Sequence, residues 1–226
     1  MPTELTWLGH GTWSIVTAGH TILLDPFLDE SPTSPIKAED AAADSILVSH
    51  GHFDHLADVA AIAQRTGAKV IANYEICDWL GRQGVQSTDP MNTGGCLEQA
   101  FGTVKLTRAD HSSTLPDGSS GGHPGGFLLT LEDGRIYFAC DTALFSDMKL
   151  IASGVDLAVL PIGDRFTMGP DDSIEAIKLI QPKRVAPAHY NTWPPIAQDA
   201  NLWASRVRAE TAAEPIVLEP GGKIQL

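Results

Sequence analysis

The chain opens with three short apolar runs, LTWLG (5–9), TWSIV (12–16) and TILLDPF (21–27), rich in β-branched and aromatic residues and separated by glycine-containing turns. That pattern predicts strands in hairpin-like succession. DSILVSH (44–50) predicts a further strand that ends on a histidine. LADVAAIAQRTGAK (56–69) then places apolar residues at helical spacing as far as Gly67, and KVIAN (69–73) returns to strand. TVKLTRADH (103–111), GGFLLTLEDG (125–134), RIYFACD (135–141) and VDLAVLPIGD (155–164) read as strands, the middle two joined by a turn at Glu132, Asp133 and Gly134. DDSIEAIKLIQ (171–181), with an acidic pair at its start, and AQDANLWASRVRAE (197–210) predict helices. RVAPAHY (184–190) reads as a strand between them, and PIVLEPGGKIQL (215–226) as a closing hairpin. Strands mixed with helices indicate an α/β (α+β) class, and with no repeat, linker or charge run a single domain over residues 1–226 is expected.

Length and charge narrow the function. A chain of 226 residues can bury one sizeable core. Fifteen Lys and Arg against twenty-eight Asp and Glu give a net charge of -13, a field that repels phosphate backbones and anionic membranes. Nucleic acid is therefore disfavoured as a partner and a small-molecule substrate is favoured. The opening MPTELTWLGHGTWSI lacks a basic segment followed by an apolar one, and no eighteen apolar residues run together, so neither export nor membrane insertion is expected. Cys77, Cys96 and Cys140 are odd in number and form no CxxC, which suits a reducing, cytoplasmic compartment. The one biased stretch, SSTLPDGSSGGHPGG (112–126), is a long Gly/Ser/Pro loop of the kind that often carries function.

The densest chemistry lies in SHGHFDH (49–55). His50 and His52 alternate along extended chain and so share one side, while Asp54 and His55 follow as the chain turns and can face a second point. Imidazole and carboxylate are ligands for zinc, manganese or iron, so one motif can feed two metals. Four ligands do not complete two sites, and partners are expected at other strand ends. His111 follows TVKLTRAD, Asp141 follows RIYFAC and His189 follows RVAPA, each placed for side chains that converge on one edge of a sheet.

This series, with His50, His52, Asp54 and His55 followed by His111, Asp141 and His189, resembles the metal motifs of the metallo-β-lactamase superfamily. Asp25, ending TILLDPF, resembles the superfamily's early aspartate that buttresses the metal loop by hydrogen bonds. The flanking WLGHGTWSI, CDTALFSDM, LPIGDRFTMGP and AHYNTWP resemble a narrower branch of metal-dependent hydrolases, similar to the ascorbate-6-phosphate lactonases and more distantly to the phospholipase D that cleaves N-acyl phosphatidylethanolamine. The resemblance implies a four-layer αβ/βα sandwich with the site along one edge of its two sheets. It also implies two divalent metal ions, zinc foremost with manganese or iron as alternatives. His50, His52 and His111 would hold one, Asp54, His55 and His189 the other, and Asp141 would bridge them.

Two cations held close together lower the pKa of a bridging water from about 16 toward about 7, so a hydroxide bridging the metals is the expected nucleophile. Hydrolysis of an ester, lactone or phosphodiester follows, with Asp54 orienting the hydroxide and receiving its proton. His10, in WLGHGT, is expected beside the metals as a hydrogen-bond donor or a leaving-group acid. A nuclease-type phosphodiesterase and a di-iron redox protein are the alternatives, with an interaction module behind them. Against the redox reading, the superfamily's di-iron oxygen reductases typically replace one clustered histidine by a carboxylate, and His52 is retained here. Asp164 and Arg165 are expected to present a guanidinium to an anion, while Tyr190, Asn191 and Thr192 either orient His189 or touch substrate, or make ordinary turn contacts. The loop 112–126 is expected to wall the pocket, Cys140 to point away from it, and His20 and His123 to stay outside the ligand set. Trp193, Pro194 and Pro195 read as an exposed patch that can serve as a contact in a homo-oligomer.

Overall fold

Six short strands make up most of the first sheet: β1 (Glu4–Trp7), β2 (Trp13–Thr17), β3 (His20–Leu24), β4 (Ser45–Leu47), β5 (Lys69–Asn73) and β6 (Thr88–Met91). The computed structural model describes residues 2–226. Parity decides which way each side chain faces. Ile22, Leu24, Leu47 and Ile71 point into the core between the sheets, while Leu23, Ile46, Val48 and Val70 enter a second core beneath helices. Each such fully buried side chain stabilises the fold by on the order of 2 kcal/mol relative to exposure. β1 to β3 pair antiparallel, with Trp7 opposite Trp13, and β3 to β6 pair parallel. Helices α1 (Phe53–Leu56) and α2 (Val59–Thr66) cross from β4 to β5, and α3 (Tyr74–Arg82) crosses from β5 to β6.

The second sheet contains β7 (Cys96–Gln99), β8 (Gly102–Arg108), β9 (Gly125–Leu131), β10 (Gly134–Phe138), β11 (Leu157–Pro161), β12 (Arg184–Ala188) and β13 (Glu214–Pro215). β7 to β10 form an antiparallel meander and β10 to β13 run parallel. The parallel crossovers carry α4 (Met148–Ala152), α5 (Pro170–Ile180) and α6 (Ala200–Glu210). Ile174 and Ile177 of α5 and Trp203 and Val207 of α6 share the core of this sheet, and Trp203 Nε1 donates to Ser173 Oγ at 2.8 Å to fasten the two helices. The layers run helix, sheet, sheet, helix, the mixed α/β sandwich anticipated above. No helix among the described residues is long and apolar enough to cross a membrane.

Three expectations change. The closing hairpin does not form: Glu214–Pro215 pairs with β12 in the second sheet, whereas β14 (Lys223–Gln225) pairs antiparallel with β1 in the first. The tail is thus a strap between sheets, which the Pro220-Gly221-Gly222 turn signal could not distinguish from a hairpin. The helix expected over 56–69 is split, with α1 ending at Leu56 and α2 starting at Val59, though it does stop at Gly67 in the left-handed region (φ 76). Between the two pieces Asp58 accepts from the Leu28 and Asp29 amides at 2.6 and 3.2 Å. Helix α3 and strands β6 and β7 were not anticipated. Asn73 caps α3 by accepting from the Ile76 amide at 2.9 Å, and β6 carries Pro90, tolerated because β6 is an edge strand.

Candidate metal centre

The carboxyl ends of β3, β4, β8, β10 and β12 open onto one rim, and each delivers a polar side chain. After β3 comes Asp25, after β4 Ser49 and His50, after β8 His111, after β10 Asp141 and after β12 His189. Around this rim four residues adopt the left-handed backbone that a side chain disfavours: His10 (φ 51), Asp25 (φ 45), Cys140 (φ 53) and His189 (φ 54). Such strain costs about 1–3 kcal/mol per residue and concentrates where function fixes geometry. Gly163, on the loop after β11, makes room for His189, since a Cβ there would lie 2.2 Å from the His189 carbonyl oxygen.

Two ligand clusters form. In the first, His50 Nε2 lies 2.9 Å from His52 Nδ1, which is 3.3 Å from His111 Nε2. In the second, Asp54 Oδ2 lies 3.8 Å from His55 Nε2 and 3.7 Å from His189 Nε2. One oxygen, Asp141 Oδ2, reaches both: it is 4.0 Å from His50 Nε2 and 3.5 Å from His111 Nε2 on one side, and 3.5 Å from His55 Nε2 and 3.0 Å from His189 Nε2 on the other. Three overlapping groups have donor atoms within 4.8 Å of one another, His50 with His52 and His111, His10 with Asp54, His55 and His189, and His50 with His55 and Asp141, so each could hold a metal ion.

The hydrogen-bond pattern fits that use. His55 Nε2 and both ring nitrogens of His189 are buried without a hydrogen-bond partner. His189 Nε2 stands close to Asp141 Oδ2 yet is not aligned to donate to it, and a cation shared by the two lone pairs would satisfy both. The far sides of the His50, His52 and His55 rings are fixed by neighbours. Asp25 accepts from the Ser49 amide at 2.7 Å through Oδ1, and from Ser49 Oγ at 2.6 Å and His55 Nδ1 at 2.9 Å through Oδ2. Ser49 Oγ in turn stands 2.9 Å from His50 Nδ1, and Ser112 Oγ 3.3 Å from His52 Nε2.

Electrostatics separates the two clusters. Burial holds His50, His52 and His111 below the usual histidine range, with the His55 charge adding to the effect at His50, so these rings offer lone pairs. Burial works the same way at His55 and His189, but the Asp141 carboxylate, helped by Asp54, overrides it. His55 rises well above the ordinary value and His189 is pushed up to about 9. Burial works to raise Asp54 and Asp141, and their histidine neighbours outweigh it and hold both carboxyls below the ordinary range.

His10 is fully buried and does not line the cavity above the cluster. Burial lowers its pKa to about 3, so the ring is neutral. Nε2–H donates to Asp54 Oδ2 at 3.0 Å, and Nδ1 accepts from Thr192 Oγ1 at 2.7 Å. This placement suits a donor to Asp54 and not an acid delivered to a leaving group.

Other expectations are corrected here. Only Ser112 of the loop 112–126 lines the cavity. The rest covers the metal loop, with Ser113 Oγ accepting from the Gly51 amide at 3.0 Å and Leu115 buried against Gly51. The walls are Phe53, Phe166, Trp193, Pro195 and Ile196, which the sequence reading did not assign to the pocket. Phe53 could have been found from its place between His52 and Asp54. Trp193, expected as an exposed contact, instead packs against Phe53, Phe27 and His10, with ring centroids 6.1, 5.9 and 5.0 Å apart. Asp164 and Arg165 are exposed and do not line the cavity, although Arg165 lies over the Phe166 ring at 5.4 Å. Tyr190 stacks on Trp7, Asn191 Oδ1 accepts from the Gln198 amide at 2.7 Å, and of that trio Thr192 alone reaches the centre, through His10. Cys140 lies beyond the end of β10 and sits against Asp25 and Ser49, where burial followed by the Asp25 and Asp141 charges pushes its thiol well up. His20 pairs with Ser45 Oγ at 3.0 Å, and neither it nor His123 joins a cluster.

Comparison with known proteins agrees with this geometry. Residues 20–190 match the β-lactamase superfamily domain. A UPF0173 metal-dependent hydrolase of Thermus thermophilus is 44% identical over 224 residues, covering 99% of each chain. A UPF0173 metal-dependent hydrolase of Shouchella clausii is 45% identical over 230 residues, covering 99% of this chain and 100% of that one. Among solved structures, Igni18, a metallo hydrolase of the hyperthermophilic archaeon Ignicoccus hospitalis, superposes with a TM-score of 0.91 at 32% identity, covering 100% of this chain and 99% of that one. The chain thus belongs to the β-lactamase superfamily and, within it, to the UPF0173 metal-dependent hydrolases.

Proposed function

We propose that the protein hydrolyses a small-molecule ester, lactone or phosphodiester with two divalent metal ions, zinc foremost. His50, His52 and His111 would hold one and Asp54, His55 and His189 the other, with Asp141 within reach of both groups. The observation that carries this reading is Asp141 Oδ2, one oxygen within 4.0 Å of nitrogen donors from both clusters. When bound, two such cations supply an activated water at neutral pH and a Lewis acid for the developing oxyanion, so no serine or cysteine nucleophile is needed. Asp54 lines the cavity, orients the attacking water and takes its proton. Thr192 and His10 hold that carboxylate in place from behind, and Asp25 fixes the ring of His55 so that Nε2 faces inward. Phe53 and Trp193 form an apolar wall that limits bulk water at the reacting atoms.

The test is reconstitution of chelator-stripped protein with Zn2+, Mn2+ or, anaerobically, Fe2+, followed by chromogenic ester, lactone and phosphodiester substrates. Turnover that needs metal and is lost in Asp141→Ala and His52→Ala supports the proposal. Metal bound with no hydrolysis of any of the three bond classes, together with oxygen consumption by the iron form, would replace it with redox chemistry.

A further inference from the structure

The walls of the cavity say more than its floor. About 450 Å³ in volume, it has a polar floor made of the metal-cluster side chains and Ser112, and above that the five apolar residues Phe53, Phe166, Trp193, Pro195 and Ile196. Among the described residues no lysine or arginine lines it. Phe53 and Phe166, 54% and 55% exposed, turn their open faces to this concave cavity, where a ligand would cover them. Their positions are held: Phe53 packs edge-on against Phe27 at 5.8 Å, and Phe166 follows two consecutive residues in the left-handed region, Asp164 (φ 62) and Arg165 (φ 45). Strain of that kind is found at ligand clamps.

We infer that the substrate is an uncharged carboxylic ester or lactone whose apolar acyl chain lies between Phe53, Phe166 and Trp193. This rests on the hydrolase reading above. In the reaction the water oxygen bonds to the carbonyl carbon and the acyl C–O bond breaks. The electron pair leaves with the alkoxide oxygen, which takes up a proton, and the products are a carboxylic acid and an alcohol from an ester, or one hydroxy acid from a lactone. An anion carried away from the reacting bond, such as the phosphate of a phosphorylated sugar lactone or a terminal carboxylate, would lie among walls that hold no lysine or arginine. The apolar walls would give such a group no hydrogen bonds, whereas they gain from each methylene they cover.

The inference is tested on the metal-reconstituted enzyme with p-nitrophenyl esters from acetate to octanoate, the same esters carrying a terminal carboxylate, and bis(p-nitrophenyl) phosphate. The expected kcat/KM rises about fourfold per added methylene until the cavity is filled. A terminal carboxylate lowers it at least about tenfold, Phe166→Ala flattens the chain-length dependence, and Leu150→Ser, at an exposed leucine outside the cavity, leaves it as in the wild type. A flat series, or preference for the charged esters or the phosphodiester, overturns the inference while leaving the hydrolase intact. If nothing is hydrolysed the hydrolase reading fails, and binding of straight-chain methyl ketones, followed by calorimetry, still decides the apolar site. Affinity that climbs with chain length and drops in Phe166→Ala upholds it, and affinity independent of length overturns it.

Discussion

Asp25→Asn changes no volume but turns one of two acceptor oxygens into a donor, and the consequences can be followed atom by atom. In the wild type the carboxylate accepts from the Ser49 amide, Ser49 Oγ and His55 Nδ1 at 2.6–2.9 Å, all buried. If the amide oxygen of Asn stays on the Ser49 N–H, its NH2 faces His55 Nδ1. That nitrogen must then accept, so the imidazole proton moves to Nε2, the atom directed at Asp54 and Asp141. If the amide flips, two donors face each other at Ser49 and one buried N–H goes unpaired, at a cost of about 1–3 kcal/mol. The first arrangement is therefore preferred, and it blocks a ligand lone pair. Losing such a partner weakens metal binding by about 10–100-fold, equivalent to about 1.4–2.8 kcal/mol. Competition with a chromophoric chelator reads each binding step: one step is expected to weaken by that factor while the step on His50, His52 and His111 shifts far less. Urea unfolding of the stripped variant should show a loss on the order of 2–4 kcal/mol from the charged hydrogen bonds removed. Two unchanged metal affinities in a folded Asp25→Asn protein would refute the argument that Asp25 sets the His55 tautomer.

Other perturbations test separate parts of the account. Thr192→Val removes the hydroxyl that His10 Nδ1 accepts from, and urea unfolding should report a loss of about 1–3 kcal/mol with metal stoichiometry unchanged. Gly163→Ala places a Cβ 2.2 Å from the His189 carbonyl oxygen, so the backbone must shift, and metal affinity measured by chelator competition should fall together with the thermal midpoint. In stripped protein, His189 has its pKa raised from 6.5 to about 9, so the native state binds the extra proton. That stability is fully present below about pH 6.5 and is lost as pH rises through 9, up to about 3 kcal/mol. Urea midpoints taken from pH 6 to 9.5 should decline in the stripped protein and stay flatter with metal bound, since ligation has already displaced the proton. His10, depressed to about 3, acts in the opposite sense but only below that window.

Much of the fold was legible because parity and period were strong. Ile22-Leu23-Leu24 alternates between two cores, and α5 buries Ile174, Ile177 and Ile180 at helical spacing. The candidate ligands were legible for a related reason: a strand end is where backbone geometry aims a side chain at a rim, and His50, His111, Asp141 and His189 all follow such ends. What escaped was set by contacts distant in sequence. Nothing local says that Lys223–Gln225 pairs with β1, or that Trp193 packs on Phe27 and Phe53. The role of the loop 112–126 was misread because its glycines signal a turn without saying what it covers. Leu115 and Gly121, both buried, fold it back over Gly51.

Whether two metal ions act together across Asp141 is decided by adding Zn2+ in sub-stoichiometric steps to stripped protein, counting bound metal by mass spectrometry and following ester hydrolysis at each step. Activity is expected to reach its plateau at two equivalents per chain, and in Asp141→Ala to be absent at any loading. Full activity at one equivalent, or activity that survives in Asp141→Ala, would contradict joint action by the two ions.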